Sequence, residues 1–380
     1  MPGKLRRRAS RGSGLAAEAR ETSSLPLLEA ACLAAGLPRA FGLEQELEVA
    51  CYFELGVVAQ WKLTQDRIAE RVGEAVDPLM QLRSLAASFE PRLRFHVPGV
   101  IARWLADRPE QALTELRALA SDDDLLVAEA VQAFGVRPQA ESLGPEVLEF
   151  LMEWARDSSE FVRRAAIEAV RPRGVWVKHL SWSVEAPSYL VPLFEQLRGD
   201  RSQYVANAVG NALNDIAKKK PQLVLELCAR WLSEGEAGPW QEHIIRKALR
   251  GMARQGDARA LQLLGFGRLE VRVQATLQSE NPARPNSALA FQLEIENLDA
   301  ATKADLVYEI QTPGKSAGKS RKQRFRAGAI EIPGFCVSEF HIRERIFDRK
   351  AARMIDGPCA VLFFLNGEEV ARAEFPLVRE

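Results

Sequence analysis

Between Leu25 and about Gly265, apolar residues recur every third or fourth position in segments rich in Ala, Leu, Arg and Glu. That spacing places them on one face of a helix, so a succession of amphipathic helices is predicted. After Gly265 the pattern changes. Strand-like runs appear in LEVRVQATL, ALAFQLEIENL, ADLVYEIQT, QRFRAGAIEI and EFHIRERIF, and several of them alternate polar and apolar residues. CAVLFFLNGEEVARAEFPLV adds two further runs around Asn366-Gly367. Alternation predicts strands, and Asn-Gly between two of them predicts a tight hairpin turn.

The helical stretch repeats itself. The segments ALASDDDLLVAEAVQAFGVRP, EWARDSSEFVRRAAIEAVRPR and QLRGDRSQYVANAVGNALNDI share one grammar: Asp122, Asp157 and Asp200 each stand five residues before Val127, Val162 and Val205. A helix ends before each Asp, and each Val opens the next. Periods of 35 and 43 residues with this helix–turn–helix order indicate HEAT-type repeats. Stacked pairs of this kind bury a shared core and leave a concave face lined by the second helices. About seven short strands in about 110 residues suit an immunoglobulin-like sandwich. The expected fold class is therefore an all-α HEAT-like repeat solenoid followed by a small all-β immunoglobulin-like sandwich. The expected domains are a disordered basic tail at 1–24, helical repeats at 25–266 and the β domain at 267–380.

Lys plus Arg and Asp plus Glu both number 51, so bulk charge favours neither nucleic acid nor membrane. Any preference must come from local clusters. The five cysteines, Cys32, Cys51, Cys228, Cys336 and Cys359, form no CxxC and do not gather near histidines. Zinc and redox motifs are thereby disfavoured and a cytoplasmic location is expected, with a Cys336–Cys359 pair left open. No run of eighteen apolar residues occurs, so no transmembrane helix is expected. The opening MPGKLRRRASRGSGLAAEARETSS lacks the apolar core of a signal peptide, and Glu18 and Glu21 count against a transit peptide. It reads either as a disordered tail or as a basic arm lying along a polyanion.

Two carboxylates stand out against this background. Glu168 lies six residues after Val162, Asn211 lies six after Val205, and Asp215 follows Asn211 by four. Asn211 and Asp215 therefore share a helical face, and Glu168 has the same phase one repeat earlier. Ala165, Ala166, Val170, Val209 and Leu213 face other ways and supply packing. Two acids and an amide converge on one surface, either as a salt-bridged solvated face or as a working site.

The wording of these segments carries a resemblance. SSEFVRRAAIEAVRPRGVW, YVANAVGNALNDIAKKKPQLVLEL and IIRKALRGMARQGDARALQLLG resemble the AlkC family of alkylpurine DNA glycosylases. LVYEIQTPGKSAGKSRKQRFR and AVLFFLNGEEVARAEFPL resemble the immunoglobulin-like domain that many of its members carry. The resemblance covers roughly residues 115 to 380 and implies monofunctional excision of N3-alkylated bases such as 3-methyladenine and 3-methylcytosine from double-stranded DNA. It implies no metal or organic cofactor, and a lesion left stacked in the duplex rather than flipped out. Glu168, Trp176 and Asp215 fall on the family's motif glutamate, tryptophan and aspartate. A further family glutamate is replaced by Ala133 in AFGVRP, and Lys247 stands where the family has histidine.

The chemistry suits these residues. An N3-alkylated base is cationic and leaves as a neutral molecule, while positive charge develops on the sugar. Carboxylates stabilise that charge, and one accepts the proton of the attacking water. Trp176 offers an aromatic face to the sugar edge or the cationic base, or simply packs at a helix end.

Acids facing DNA repel phosphates, so cations must hold the duplex. Arg171, Arg173, Lys218, Lys219, Lys220, Arg246, Lys247 and Arg250 lie on or beside the same face and read as phosphate contacts, with Asn211 beside them. A second cluster, GKSAGKSRKQRFR, holds Lys315, Lys319, Arg321, Lys322, Arg324 and Arg326 without an acid. It reads as a DNA-clamping β loop or as a solubilising one. The expectation is a monomeric glycosylase acting on alkylated duplex DNA, with no membrane partner. The competing readings are a catalytically impaired DNA-binding or damage-sensing protein and a protein-interaction scaffold.

Overall fold

The structure, a computed structural model, describes residues 25–174, 176–177, 179–279, 281–314, 320–346 and 355–379. The basic tail at 1–24 and the cations Lys315 and Lys319 lie outside the described residues. Two compact units meet at Leu249, one running to Ala248 and the other onward from Leu249.

The first unit begins with α1 (Leu25–Ala34), α2 (Leu43–Val49), α3 (Val57–Gly73), α4 (Pro78–Ala86), α5 (Pro91–Trp104) and α6 (Pro109–Leu119). Then α7 (Leu125–Ala130) runs into a π-helical turn at Val131–Val136 and on into α8 (Arg137–Leu143). Next come α9 (Val147–Trp154), α10 (Glu160–Glu168), α11 (Ser181–Glu185), α12 (Val191–Leu197), α13 (Gln203–Ala217) and α14 (Pro221–Glu234). Helix α15 (Gln241–Gln255) crosses into the second unit, where α16 (Ala258–Leu263) follows. The apolar positions that predicted the helices are the ones buried: Val127, Val162, Ala165, Ala166, Val170, Val205, Val209 and Leu213 are all within 1% of full burial.

The repeated aspartates have a physical role. Each accepts a backbone N–H two residues on: Asp122 from Asp124 at 2.8 Å, Asp157 from Ser159 at 2.9 Å and Asp200 from Ser202 at 2.8 Å. This turn ends one helix and aims the next. Each aspartate also receives an arginine from earlier in the array. Arg94 reaches Asp122 at 2.7 Å, Arg117 reaches Asp157 at 2.7 Å, and Arg163 reaches Asp200 at 2.6 Å. The aspartate therefore shapes its own turn and ties it to the preceding helices.

In the second unit, β1 (Val271–Leu277), β2 (Ala288–Asn297) and β5 (Val337–Arg345) form one antiparallel sheet in the order β1-β2-β5. The other sheet has the order β4-β3-β6-β7, with β3 (Thr302–Pro313), β4 (Ser320–Ile332), β6 (Gly357–Leu365) and β7 (Glu368–Leu377). Residues from both sheets, among them Phe291, Leu293, Leu306, Ile310, Phe363 and Phe375, fill one core. The Asn366-Gly367 turn joins β6 to β7 with φ of 48° and 87°, as the tight hairpin requires. All five cysteines are free, which removes the Cys336–Cys359 pairing.

The expected fold class is corrected on both counts. Among the described residues about 52% are helical and 21% lie in strands, and the helical part is not a run of uniform HEAT-like pairs. After the π turn the chain continues directly into α8, whereas after α10 twelve residues pass before α11 begins at Ser181. The longer second period coincides with this interruption. The β part is a two-sheet sandwich, but β4 pairs with β3 in the second sheet rather than joining β1, β2 and β5 as in a constant-type immunoglobulin domain. The long ladder from Thr302↔Ile332 to Pro313↔Ser320 holds it there.

Candidate active site and nucleic-acid interface

Glu168 is the last residue of α10, and Asp215 lies in the last turn of α13. A helix C-terminus carries the negative end of the backbone dipole, so an acid there is disfavoured unless a cation attends it. Arg171, three residues past α10, is that cation. Its Nε donates to Asp215 Oδ2 at 2.7 Å and its Nη1 to Glu168 Oε2 at 3.1 Å. The two carboxylates, from the ends of α10 and α13, are thus held on one guanidinium. Lys218 Nζ completes Asp215 by donating to Oδ1 at 2.6 Å. The Asp215 side chain is 4% exposed and that of Glu168 10%, whereas Lys218 is 43% exposed. Burial pulls the Arg171 pKa down, but Glu168 and Asp215 outweigh it and leave the group above its ordinary value. Arg171 is charged throughout the accessible range.

The loop after α10 is positioned by a residue that sequence reasoning missed. Arg137, 2% exposed, donates Nη1 to Arg171 O at 2.7 Å and to Ala169 O at 3.4 Å, and Nη2 to Pro172 O at 3.3 Å. It satisfies carbonyls left open where the helix stops. Burial lowers its pKa to about 10. Gly174 is required in the same loop, because a Cβ there would meet Val177 Cγ2 at 2.3 Å.

Trp176 sits on the aromatic floor of this loop. Its ring stacks on Phe134 with planes 8° apart and centroids at 6.2 Å, and meets Trp61 edge-on at 5.4 Å. Phe95 joins Trp61 at 4.9 Å. Packing therefore fixes Trp176, which remains half-buried. A fourth group beside the acids, Arg164, reaches Glu168 Oε1 at 3.4 Å, stacks over the Tyr204 ring at 4.0 Å and lies 3.9 Å from Glu129 Oε1. Its i,i+4 spacing to Glu168 is a sequence signal for the pairing. Glu129 and Tyr204 carried no such signal.

The expected phosphate contacts divide. Arg171 is taken up between the two acids rather than presented outward. Arg173, Lys219 and Lys220 are exposed, and Arg246 is 3.7 Å from Glu242. On α13, Asn211 is half-buried one turn before Asp215. Asn207, a turn earlier, accepts from Lys247 on α15 and contacts His243 Nε2 at 3.0 Å. Gly210 lets these helices meet, since a Cβ there would stand 2.8 Å from Lys247 Cβ. Arg250, further along α15, is half-buried. Burial first, then Lys247 and Arg246, lower the His243 pKa, which keeps the ring neutral.

In the β unit, Lys322 and Arg324 stand on β4 opposite Gln311 and Glu309. Glu309 lies 3.8 Å from Lys322 and 3.4 Å from Arg324. Arg324 also lies over the Phe364 ring at 4.1 Å and donates to Gln255 O at 3.0 Å. Arg326 donates to Asp305 at 2.6 Å. The strand half of the basic cluster is therefore partly neutralised by β3, with Lys322 the most outward of these three and Arg321 half-buried beside it.

The chain's fold is similar to that of Pseudomonas fluorescens alkylpurine DNA glycosylase AlkC bound to DNA containing an abasic site analog, with a TM-score of 0.78 and 23% identity over 93% of this chain and 97% of that one. It is 31% identical over 191 residues to the uncharacterized protein YhaZ of Bacillus subtilis (strain 168), covering 50% of this chain. The chain spans about half, 51%, of that curated relative's length. Residues 124–252, the segment that holds Glu168, Arg171, Trp176 and Asp215, match the family described as DNA alkylation repair enzyme.

Proposed function

We propose that the protein is a DNA glycosylase of alkylation repair, hydrolysing the N-glycosidic bond of cationic N3-alkylated bases such as 3-methyladenine and 3-methylcytosine. The observation that carries this reading is the convergence of Glu168 and Asp215, at the ends of two helices, on Arg171. Two carboxylates and two negative helix ends make a preorganised environment for a cationic sugar. As the bond breaks, its electron pair leaves with the base and neutralises it. Water then bonds to C1′, and its proton passes to Asp215 or Glu168. Trp176, half-buried on its aromatic floor, lines the sugar side. One preorganised group of this kind contributes about 3–4 kcal/mol in other enzymes, a large share of what a labile leaving group needs.

Lys218, Lys219, Lys220, Arg173, Arg246 and Lys247 supply phosphate contacts, and Lys322 and Arg321 supply others on the β unit. A phosphate that draws Lys218 away from Asp215 leaves that carboxylate to the reacting sugar. The protein acts in the cytoplasm as a monomer on double-stranded DNA. A second reading, a damage sensor without excision, is favoured by Ala133 in place of an acid and by the pairing of Asp215 with two cations. Incubation with methylated duplex DNA separates the two. Release of free 3-methyladenine or 3-methylcytosine with matching abasic sites supports the glycosylase, whereas preferential binding of methylated DNA without release supports the sensor.

A further inference from the structure

We propose that Glu129 is a third carboxylate of this site, a positioning residue that acts on Glu168 through Arg164. The inference rests on the glycosylase reading and adds a residue to it. Glu129 lies at the end of α7, just before the π-helical turn and four residues ahead of Ala133. Glu129 thus approaches the site from about one turn upstream of the position that lacks an acid.

One guanidinium nitrogen links the two acids. Arg164 Nη2 is 3.9 Å from Glu129 Oε1 and 3.4 Å from Glu168 Oε1. Arg164 is fixed in place, because Nη1 donates to Tyr204 O at 3.1 Å and the guanidinium carbon lies over the Tyr204 ring at 4.0 Å. The negative charge of Glu129 offsets part of the positive potential that Arg164 places on Glu168. When Glu129 is ionised it draws on Arg164, and Glu168 keeps more of its negative potential. When Glu129 is neutral, Arg164 attends Glu168 alone and damps it.

The groups acting on Glu129 are Arg164 and Glu168 on α10, and Glu129 in turn bears on Tyr204 of α13. Glu168 is faced in addition by Arg171 and, from α8, by Arg137. Burial raises the Glu129 pKa above the ordinary glutamate range, with Arg164 opposing and Glu168 adding to the rise. Glu129 therefore takes up its proton on milder acidification than an exposed glutamate does.

The test measures single-turnover base release from methylated DNA across pH for the full chain, for Glu129→Gln and for Glu129→Gln combined with Ala133→Glu. The ¹⁵Nε resonance of Arg164 is followed over the same range. A directly acting group is worth about a hundredfold or more in rate, so a residue acting at one remove is expected to cost about tenfold on Glu129→Gln. Adding Ala133→Glu restores most of that loss. The Arg164 resonance of the natural protein shows a pH step above the ordinary glutamate range that Glu129→Gln abolishes. An undiminished rate with an unchanged pH profile overturns the proposal. So does a loss that Ala133→Glu leaves untouched while the Arg164 step persists, since that pattern belongs to a packing role. If the natural protein releases no base, the glycosylase reading falls and the resonance alone decides. A step that survives Glu129→Gln then overturns the coupling, and a lost step upholds it.

Discussion

Arg171 donates from Nε to Asp215 Oδ2 at 2.7 Å, across 44 residues of chain, and with its other arm holds Glu168. The contact makes the charge of the site a balance rather than an excess. It also gives the two acids different dependence on their partners from that of a surface pair.

Asp215→Asn keeps the shape of the side chain and removes its charge. Base release is expected to fall by about two orders of magnitude or more, from lost stabilisation of the cationic sugar. Affinity for duplex DNA is expected to hold or tighten, because one repulsive charge is gone. Single-turnover release alongside binding isotherms checks both. Full activity in the folded variant removes Asp215 from the mechanism.

Arg171 and Lys218 both bond Asp215, yet their removal is expected to differ. Arg171→Met leaves two nearly buried carboxylates without their shared cation, a loss of about 3–5 kcal/mol in stability. Lys218 is 43% exposed, and Lys218→Met is expected to cost under about 1 kcal/mol. It should instead weaken DNA binding and lower the salt slope by about 0.9, without slowing release at saturating DNA. Urea denaturation and salt titrations distinguish the two. Equal destabilisation by both variants contradicts the assignment of Arg171 as the structural cation.

On β4, Lys322 and Arg324 are also expected to part. Lys322 is 60% exposed, so Lys322→Ala should lower the salt slope of DNA binding by about 0.9 and leave stability unchanged. Arg324 is held by Glu309, by Gln255 O and over Phe364, so Arg324→Ala should destabilise the fold by about 1–2 kcal/mol. A salt slope untouched by Lys322→Ala takes this strand out of the DNA interface.

His96 on α5 provides a pH test of stability. Burial, aided by Arg103, pushes its pKa down to about 3. Between that value and the ordinary histidine pKa of about 6.5, the unfolded chain binds a proton that the folded one refuses. Stability therefore falls as pH drops through this window, by several kcal/mol in all if His96 acts alone. His96→Leu should flatten the curve between about pH 6.5 and 4. A slope that survives this substitution assigns the acid sensitivity to other groups.

Local signals in the sequence carried far, and contacts remote along the chain did not. Helical spacing put Glu168 and Asp215 in one phase, and they do meet on Arg171. Strand-like runs, several of them alternating, marked the strands, and Asn366-Gly367 marked their last turn. The sheet to which β4 belongs could not be read this way, because alternation says which residues face a core and not which neighbour completes the ladder. Arg171 looked like a phosphate contact because nothing local shows that Asp215 would claim it. Arg137 and Trp61 escaped notice for the same reason. One reaches carbonyls 32 to 35 residues away, and the other lies on α3 beneath Trp176. The π turn left no mark in the apolar pattern.

Glu168 and Asp215 both sit where a helix stops, and part of the field around them therefore comes from peptide groups. Side-chain substitution cannot delete peptide groups. A chain that keeps α10 and α13 keeps that share of attraction for a positive charge even with both acids neutral. Under the proposed mechanism the acids thus amplify a preference already present in the main chain, and neutralising both of them leaves the share that the backbone supplies.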